Sequence, residues 1–334
     1  MRVSRYFIKI TEIFMIKDKK IDSFIYNFLL KQYRPESKGI RKKIWDKCWD
    51  YACVNFSGPV STNIHGKLSI INFGHSYQLF ARRFKRWNNP LVELAYLSFK
   101  THNTPITVID VGASIGDTVR LLESNCPNMI EHFICIEGEP DFFSFLKQNL
   151  ADPYKYILFN NMLSDEIEEI PDLVRSHPGT ASAQGITKTQ AVTLDSLIIK
   201  HNISKVDLIK IDVDGYDGRV LKGSQEILEK FHPAIIFEWD PFLCKNTNNN
   251  WQDHFSILNK FGYNQYIWFS KYGDFSHFMT VIDEEAINQM AQVCLSDEHD
   301  SNWHYDIVAL HALSTINTKE LAVMNYAKSR QSWY

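Results

Sequence analysis

No stretch of this sequence holds the roughly 18 uninterrupted apolar residues that a membrane-crossing helix needs, so none is expected. The most apolar run near the start, YFIKITEIFMI, is broken by Lys9 and Glu12 and lacks a small-residue cleavage site, so it does not read as a signal peptide. The six cysteines, at positions 48, 53, 126, 135, 244 and 294, include no Cys-x-x-Cys pair. That argues against a disulfide framework or a zinc site and suits buried, reduced thiols. Internal repeats and low-complexity tracts are missing too. The expected compartment is the cytosol.

A dominant charge of one sign is also lacking, since the 334 residues carry a net −3. The distribution is uneven. Residues 1–49 hold thirteen Lys and Arg against five acids, a net +8, which leaves −11 on the remaining 285 residues. A basic arm thus precedes an acidic body, and a nucleic-acid substrate is not expected. Length allows about two domains at roughly 150 residues each.

The pattern divides the chain into a basic helical extension (1–57), a hairpin and helix leading into the core (58–104), a core (105–312) and a tail (313–334). In the extension, KIDSFIYNFLLKQY places Ile21, Phe24, Ile25, Phe28 and Leu29 on one helical face. That face is expected to pack on the body with a basic face in water. A membrane-surface contact, peripheral to the inner face of a membrane, is the alternative. Turn residues Gly58, Pro59 and Gly66 bracket short apolar runs and read as a hairpin. From 105 onward, continuous apolar runs alternate with helical patterns, which predicts a parallel sheet covered on both faces. Residues 164–192 are polar and read as a loop.

The stretch VIDVGASIGDTVRLL, residues 108–122, is a strand, a small-residue turn and a helix. Such a turn presents backbone N–H groups and a positive helix end beside the strand's carboxyl end. About twenty residues on, the next strand ends in Glu137, placed to accept hydrogen bonds from both hydroxyls of a ribose. A dinucleotide site wants G-x-G-x-x-G around a pyrophosphate. Here Asp117 follows Gly116 at once, which is awkward for a phosphate and acceptable for an ammonium group. The loop therefore suits S-adenosylmethionine (SAM).

In wording and in order these motifs resemble the FkbM-type SAM-dependent methyltransferases. VIDVGASIGDT is similar to that family's cofactor loop, IEGEPDFFSFLKQNL to its next strand and helix, and VTLDSLI, at the start of an expected helix, to its TLDxL segment. VDLIKIDVDGYDGRVLKGSQEIL is similar to its central strand and helix, with Asp214 and Asp217 in place of glutamates. The likeness covers roughly 105–312. It implies a Rossmann-like methyltransferase fold: a seven-stranded, mostly parallel α/β sheet with the last strand antiparallel. It also implies a cofactor site of Asp110, Gly112, Ala113, Ser114, Gly116, Asp117 and Thr118 in the loop. Glu137 would hold the ribose with Gly138 beside it, Asn161 and Met162 would meet the adenine, and Asp212 would face the methyl donor.

Methyl transfer to an alcohol needs in-line alignment and a group to take the proton. Lys210, Asp212 and Asp214 alternate along one strand end and are the candidate catalytic residues, Asp212 first. Asp212 and Glu238, ending the next strand, could join in holding a divalent cation, which the sequence does not require. Ion pairing with Lys210 and helix capping would use the same acids. His75, His177 and His277 are alternative bases. Tyr77, Arg82, Arg83, Lys85 and Arg86 would suit an acidic sugar. GTASA, within 164–192, would face the substrate. The expected activity is O-methylation of a saccharide or glycan precursor. A natural-product or lipid-linked acceptor, a non-catalytic nucleoside-binding scaffold and an NAD oxidoreductase are the competing readings.

Overall fold

The computed structural model describes residues 20–177, 180–296 and 303–330. The chain folds as two compact units, one ending at Arg83 and the other beginning at Phe84. The boundary falls inside the expected lead-in segment. The apolar run YFIKITEIFMI lies outside the described residues.

In the first unit, helices α1 (Lys20–Gln32) and α2 (Gly39–Asn55) precede a hairpin of β1 (Pro59–Ile64) and β2 (Lys67–Asn72), then helix α3 (Tyr77–Arg83). The hairpin pairs antiparallel from Pro59 opposite Asn72 to Ile64 opposite Lys67. The expected inner face of α1 is wrong. Ile21, Phe24 and Phe28 are exposed, whereas Asp22, Ser23, Tyr26, Leu29 and Leu30 are buried. Polar contacts decide the orientation. Asp22 accepts from the Gly58 amide at 3.2 Å and Ser23 Oγ from the Ser61 amide at 2.9 Å, while Tyr26 donates to the His75 carbonyl at 3.1 Å. Apolar periodicity alone does not register such a face.

The second unit opens with α4 (Asn89–His102), β3 (Ile106–Val111), α5 (Asp117–Asn125), β4 (Ile130–Ile136), α6 (Pro140–Asn149) and β5 (Tyr156–Phe159). A small sheet follows: β6 (Met162–Leu163), β7 (Glu168–His177) and β8 (Thr180–Val192). Then come α7 (Leu194–Lys200), β9 (Leu208–Ile211), α8 (Asp217–Lys222), α9 (Gln225–Phe231), β10 (Ala234–Trp239), α10 (Pro241–Asn246) and α11 (Asp253–Lys260). The unit closes with β11 (Tyr263–Ser270), β12 (Phe275–Met279), α12 (Glu284–Leu295), β13 (Tyr305–His311), α13 (Thr318–Val323) and α14 (Asn325–Ser329).

The main sheet has the order β12-β11-β13-β10-β9-β3-β4-β5. Strands β5, β4, β3, β9 and β10 are parallel neighbours, and β13 runs antiparallel to both β10 and β11. The expected antiparallel last strand is present. The sheet has eight strands among the described residues, where seven were expected. The extra one, β12, pairs antiparallel along the edge of β11. Its mixed sequence FSHFM is mostly exposed, so it carries no apolar signature.

Alternation along the central strands feeds two cores. Ile109, Val111, Ile209, Ile211, Ile235, Phe237 and Trp239 point into one, and Ile106, Val108, Leu208 and Ile236 into the other. Both faces are covered, as continuous apolar strands require. The segment expected to be a loop is instead the long strands β7 and β8. Ile170, Leu173, Ala183 and Ala191 form a small core with Tyr216. Inward residues this sparse, among so many polar ones, hide the period-2 pattern. His177 and the start of GTASA have side chains outside the described residues.

Candidate active site

In an open parallel sheet the ligand crevice lies beyond the carboxyl ends of the strands where the order reverses. Here β3 starts one half of the sheet toward β4 and β5, and β9 starts the other. The loop after β3 and the segment after β9 therefore flank that point.

Gly112 sits at φ +78, and a Cβ there would lie 2.0 Å from the Asp212 carbonyl oxygen. The bareness of this position serves the neighbouring strand end. Gly116, at φ +87, is pressed by Leu146 of α6 and by Leu150 just after it. The loop amides are also largely committed. Gly112 and Ala113 donate to the Ile136 carbonyl at 2.9 and 3.0 Å, and Ser114 donates to Glu137 Oε2 at 2.8 Å. The backbone N–H groups expected to meet a ligand are thus used in joining β3 to β4. What the loop leaves over is the Ser114 hydroxyl, buried without a partner.

Glu137 is buried, and its second oxygen accepts from the Glu139 amide at 2.7 Å. Burial pushes this carboxyl up to about 7, against the pull of the two amides. Each oxygen keeps a lone pair for a hydroxyl donor. Asn160, which the motif reading passed over, steadies the strand end by donating to the Glu137 carbonyl at 2.8 Å. A Cβ on Gly138 would lie 2.8 Å from Met162 Sδ, so Met162 closes over that turn. Asn161 is half-buried just before it.

Register explains the central ion pair. Asp110 on β3 stands directly opposite Lys210 on β9, and the two approach to 3.3 Å. Lys210 also lies 3.2 Å from Asp212. Burial opposes its charge, but Asp212 and Asp110 outweigh that and raise its pKa, so Lys210 remains a cation. Burial raises Asp110 as well, and neither of its oxygens has a well-aligned hydrogen bond. Asp117 caps its own helix through the Thr118 amide at 2.8 Å and is pushed by burial to about 7.

Strand β9 ends at Ile211, so the expected shared face of Lys210, Asp212 and Asp214 does not continue. Asp214 turns into the left-handed region at φ +50. Its carboxyl is raised well above the usual range, first by burial and then by Asp212, Asp217 and Asp240. Burial also pushes Asp217, one of whose oxygens has no hydrogen-bond partner, to about 7. Asp212 is exposed.

Next along the edge, Glu238 on β10 faces Asp306 on β13 in register. Burial raises Glu238 well above the carboxylate range, with Asp212 and Asp240 adding to it, and burial raises Asp306 to about 6. His304 lies between acids, with Nε2 at 3.3 Å from Glu238 and Nδ1 at 3.6 Å from Asp240. Trp303 packs edge-on between Tyr272 and Tyr305 beside it, each centroid 6.1 Å away. Sequence reasoning missed His304 and Trp303, because only the antiparallel return of β13 brings them to the carboxyl edge.

Among the described residues no group of three or more His, Cys, Asp or Glu side chains is arranged to hold a metal ion. Asp212 turns to Lys210 and Glu238 to His304. Of the other candidates, His75 is buried in the first unit and lowered to about 4 by burial, and His277 stacks on Trp268 at 5.0 Å. Tyr77, Arg82 and Arg83 belong to the first unit, where Arg82 donates to the Leu30 carbonyl at 2.6 Å. Lys85 and Arg86 belong to the second, where Arg86 pairs with Asp274 at 2.5 Å.

The edge thus gathers many carboxylates around one lysine and one histidine. Such a donor set fits a cationic nucleoside such as SAM and opposes a pyrophosphate. The fold is that of Rossmann-like methyltransferase domains. Residues 110–264, just under half of the chain, match the model of the methyltransferase FkbM domain. No curated protein matches.

Several solved structures are similar at low identity. Methyltransferase FkbM from Methylobacillus flagellatus KT is 15% identical over 47% of this chain and 36% of its own, with a TM-score of 0.35. This chain therefore spans about a third of that protein's length. The plantazolicin methyltransferase BamL, solved with a desmethyl substrate analogue and S-adenosylhomocysteine (SAH), is 10% identical over 88% of this chain and 99% of its own, with a TM-score of 0.37. M. jannaschii TYW2, solved with AdoMet, is 13% identical over 75% of this chain and 84% of its own, with a TM-score of 0.35.

Proposed function

We propose that this chain moves the methyl group of SAM to a hydroxyl of a saccharide or glycan precursor. The observation that supports it most is the acid-rich crevice, where Asp110 and Asp212 pair with Lys210 and Asp117, Asp214 and Asp217 add further carboxyls. When bound, SAM supplies an activated methyl group on a cationic sulfur. Glu137 accepts the ribose hydroxyls, and the Ser114 hydroxyl and Asp110 are left to meet the amino-acid tail. Met162 and Asn161 border the adenine side. Lys210 limits the mutual repulsion of the acids.

The acceptor hydroxyl must lose its proton as the new bond forms. Asp212, exposed at the strand end, is the group proposed to take it. A second candidate is His304, because an imidazole with one nitrogen beside a carboxylate, here Nε2 at 3.3 Å from Glu238, can serve as an oriented base. The half-buried faces of Trp303 and Tyr305 offer stacking surface for a sugar ring. The free thiols of the described cysteines suit a reducing compartment, which favours the cytosol.

Calorimetry with SAM, SAH and NADH tests the cofactor. Binding of SAM and SAH supports the proposal, and binding of NADH alone overturns it. Mass spectrometry of glycans from cells with and without the protein tests the acceptor. A species one methyl group heavier only when the protein is present supports a saccharide. The same gain on a lipid-linked or small-molecule fraction transfers the reading to that acceptor. SAM binding without turnover on any fraction favours a scaffold.

A further inference from the structure

The first unit contains a groove that methyl transfer does not use. Helices α1, α2 and α3 enclose a cavity of about 730 Å³. Its lining combines Phe28, Trp45 and Phe80 with Arg34, Arg41 and Arg83. A fourth cation, Lys42, is paired at 2.6 Å with Asp46, which is the one acid among the described lining residues. The aromatic floor is built: Trp45 donates to the Leu29 carbonyl at 2.9 Å and lies 4.7 Å from Tyr33 and 5.2 Å from Trp49. The rim is apolar and open to water. Phe24 and Phe28 stack at 6.3 Å and are 71% and 52% exposed, and Ile44 is 56% exposed.

An exposed apolar rim around a cationic groove suits a partner with the opposite layering, anionic outside and apolar beneath. A phospholipid surface has that layering. Aromatic and aliphatic side chains enter the interface while Arg and Lys meet phosphate groups. We propose that this groove is a docking site for an anionic phospholipid bilayer and holds the enzyme at a membrane surface. Residues 1–19 match it poorly as an alternative occupant, because they carry five Lys and Arg against two acids and would bring the same sign of charge. No helix among the described residues is long and apolar enough to cross a membrane, so the attachment is peripheral. The groove lies wholly within the first unit, so the proposal stands independently of the methyl-transfer reading.

Full-length protein is sedimented with vesicles of phosphatidylcholine alone or mixed with phosphatidylglycerol. Binding is expected only to the mixed vesicles. Arg41→Glu should weaken it by about thirtyfold, since each cation near such a surface contributes about 1 kcal/mol and reversal counts twice. The double variant Phe28→Ser/Phe80→Ser should weaken it by at least about as much. Arg41 is exposed and Phe28 and Phe80 are about half exposed, at 52% and 48%, so circular dichroism and SAH affinity should stay unchanged. Equal binding to neutral vesicles overturns the proposal, as does displacement by inorganic phosphate, which marks a free-phosphate site. It is also overturned if the groove variants bind as wild type while Lys9→Gln/Lys17→Gln/Lys19→Gln abolishes binding. A dimer that dissociates in the double variant, without vesicle binding by either form, overturns it in favour of a protein interface.

Discussion

Replacing Glu137 by glutamine keeps the shape of the strand end and removes the charge. In the structure the carboxylate holds two amides, Ser114 at 2.8 Å and Glu139 at 2.7 Å. The amide side chain keeps one acceptor oxygen, so one buried N–H loses its partner and faces an NH₂ group. That costs about 1–3 kcal/mol of stability. For the ligand, one hydrogen bond to a charged acceptor is lost, worth about 1.5–3 kcal/mol, or about 10- to 150-fold in affinity. Titration calorimetry with SAH, alongside urea unfolding, separates the two effects. Glu137→Gln should be folded, modestly destabilised and at least about tenfold weaker for SAH. A folded variant that binds SAH within about twofold of wild type would refute the ribose-holding role.

Other outcomes follow from the same geometry. SAM affinity should rise between pH 6 and pH 8 by about tenfold or more, because Glu137, Asp117 and Asp217 sit at about 7 and a cation binds their ionised forms. Binding at pH 6.5 should then release protons, seen as buffer-dependent heats, and a flat profile would contradict this. Unfolding is a poorer readout. Those raised acids favour the folded state at low pH and lose that contribution as pH climbs through 7. His65, His75 and His254, lowered to about 4 by burial, act oppositely, losing stability as pH falls from 6.5 toward 4. Gly112→Ala should destabilise by about 3 kcal/mol or more in urea unfolding, from the positive φ and the approach to the Asp212 carbonyl; a loss under about 1 kcal/mol would show the turn adjusts. Asp212→Asn should lower kcat by about 10²–10⁴ while SAH affinity holds, and His304→Gln should do so instead if the imidazole is the base.

The strand ends that frame the candidate site were legible because they carry strong local signals. The apolar run into Asp110 and the acid ending the next strand needed only the period of a buried strand and the spacing to a turn. The role of Gly112 was not legible, since its missing Cβ answers a carbonyl 100 residues away. Nor were His304 and Asp306, which reach the edge only through the antiparallel pairing of β13 with β10. The orientation of α1 went astray for a related reason. Its buried face is set by hydrogen bonds that Asp22 and Ser23 accept from distant amides and that Tyr26 donates to a distant carbonyl, and these leave no apolar stripe. Strands β7 and β8 were hidden because their core is a handful of small residues on an otherwise polar ribbon.

The most direct test is a crystal structure of the protein grown with SAH. Density for the nucleoside should lie at the carboxyl ends of β3 and β4, with its ribose hydroxyls within hydrogen-bond distance of Glu137 and its tail toward Ser114 and Asp110. Nucleoside bound elsewhere, with Glu137 still closed on its two amides and facing no ligand, would contradict the account.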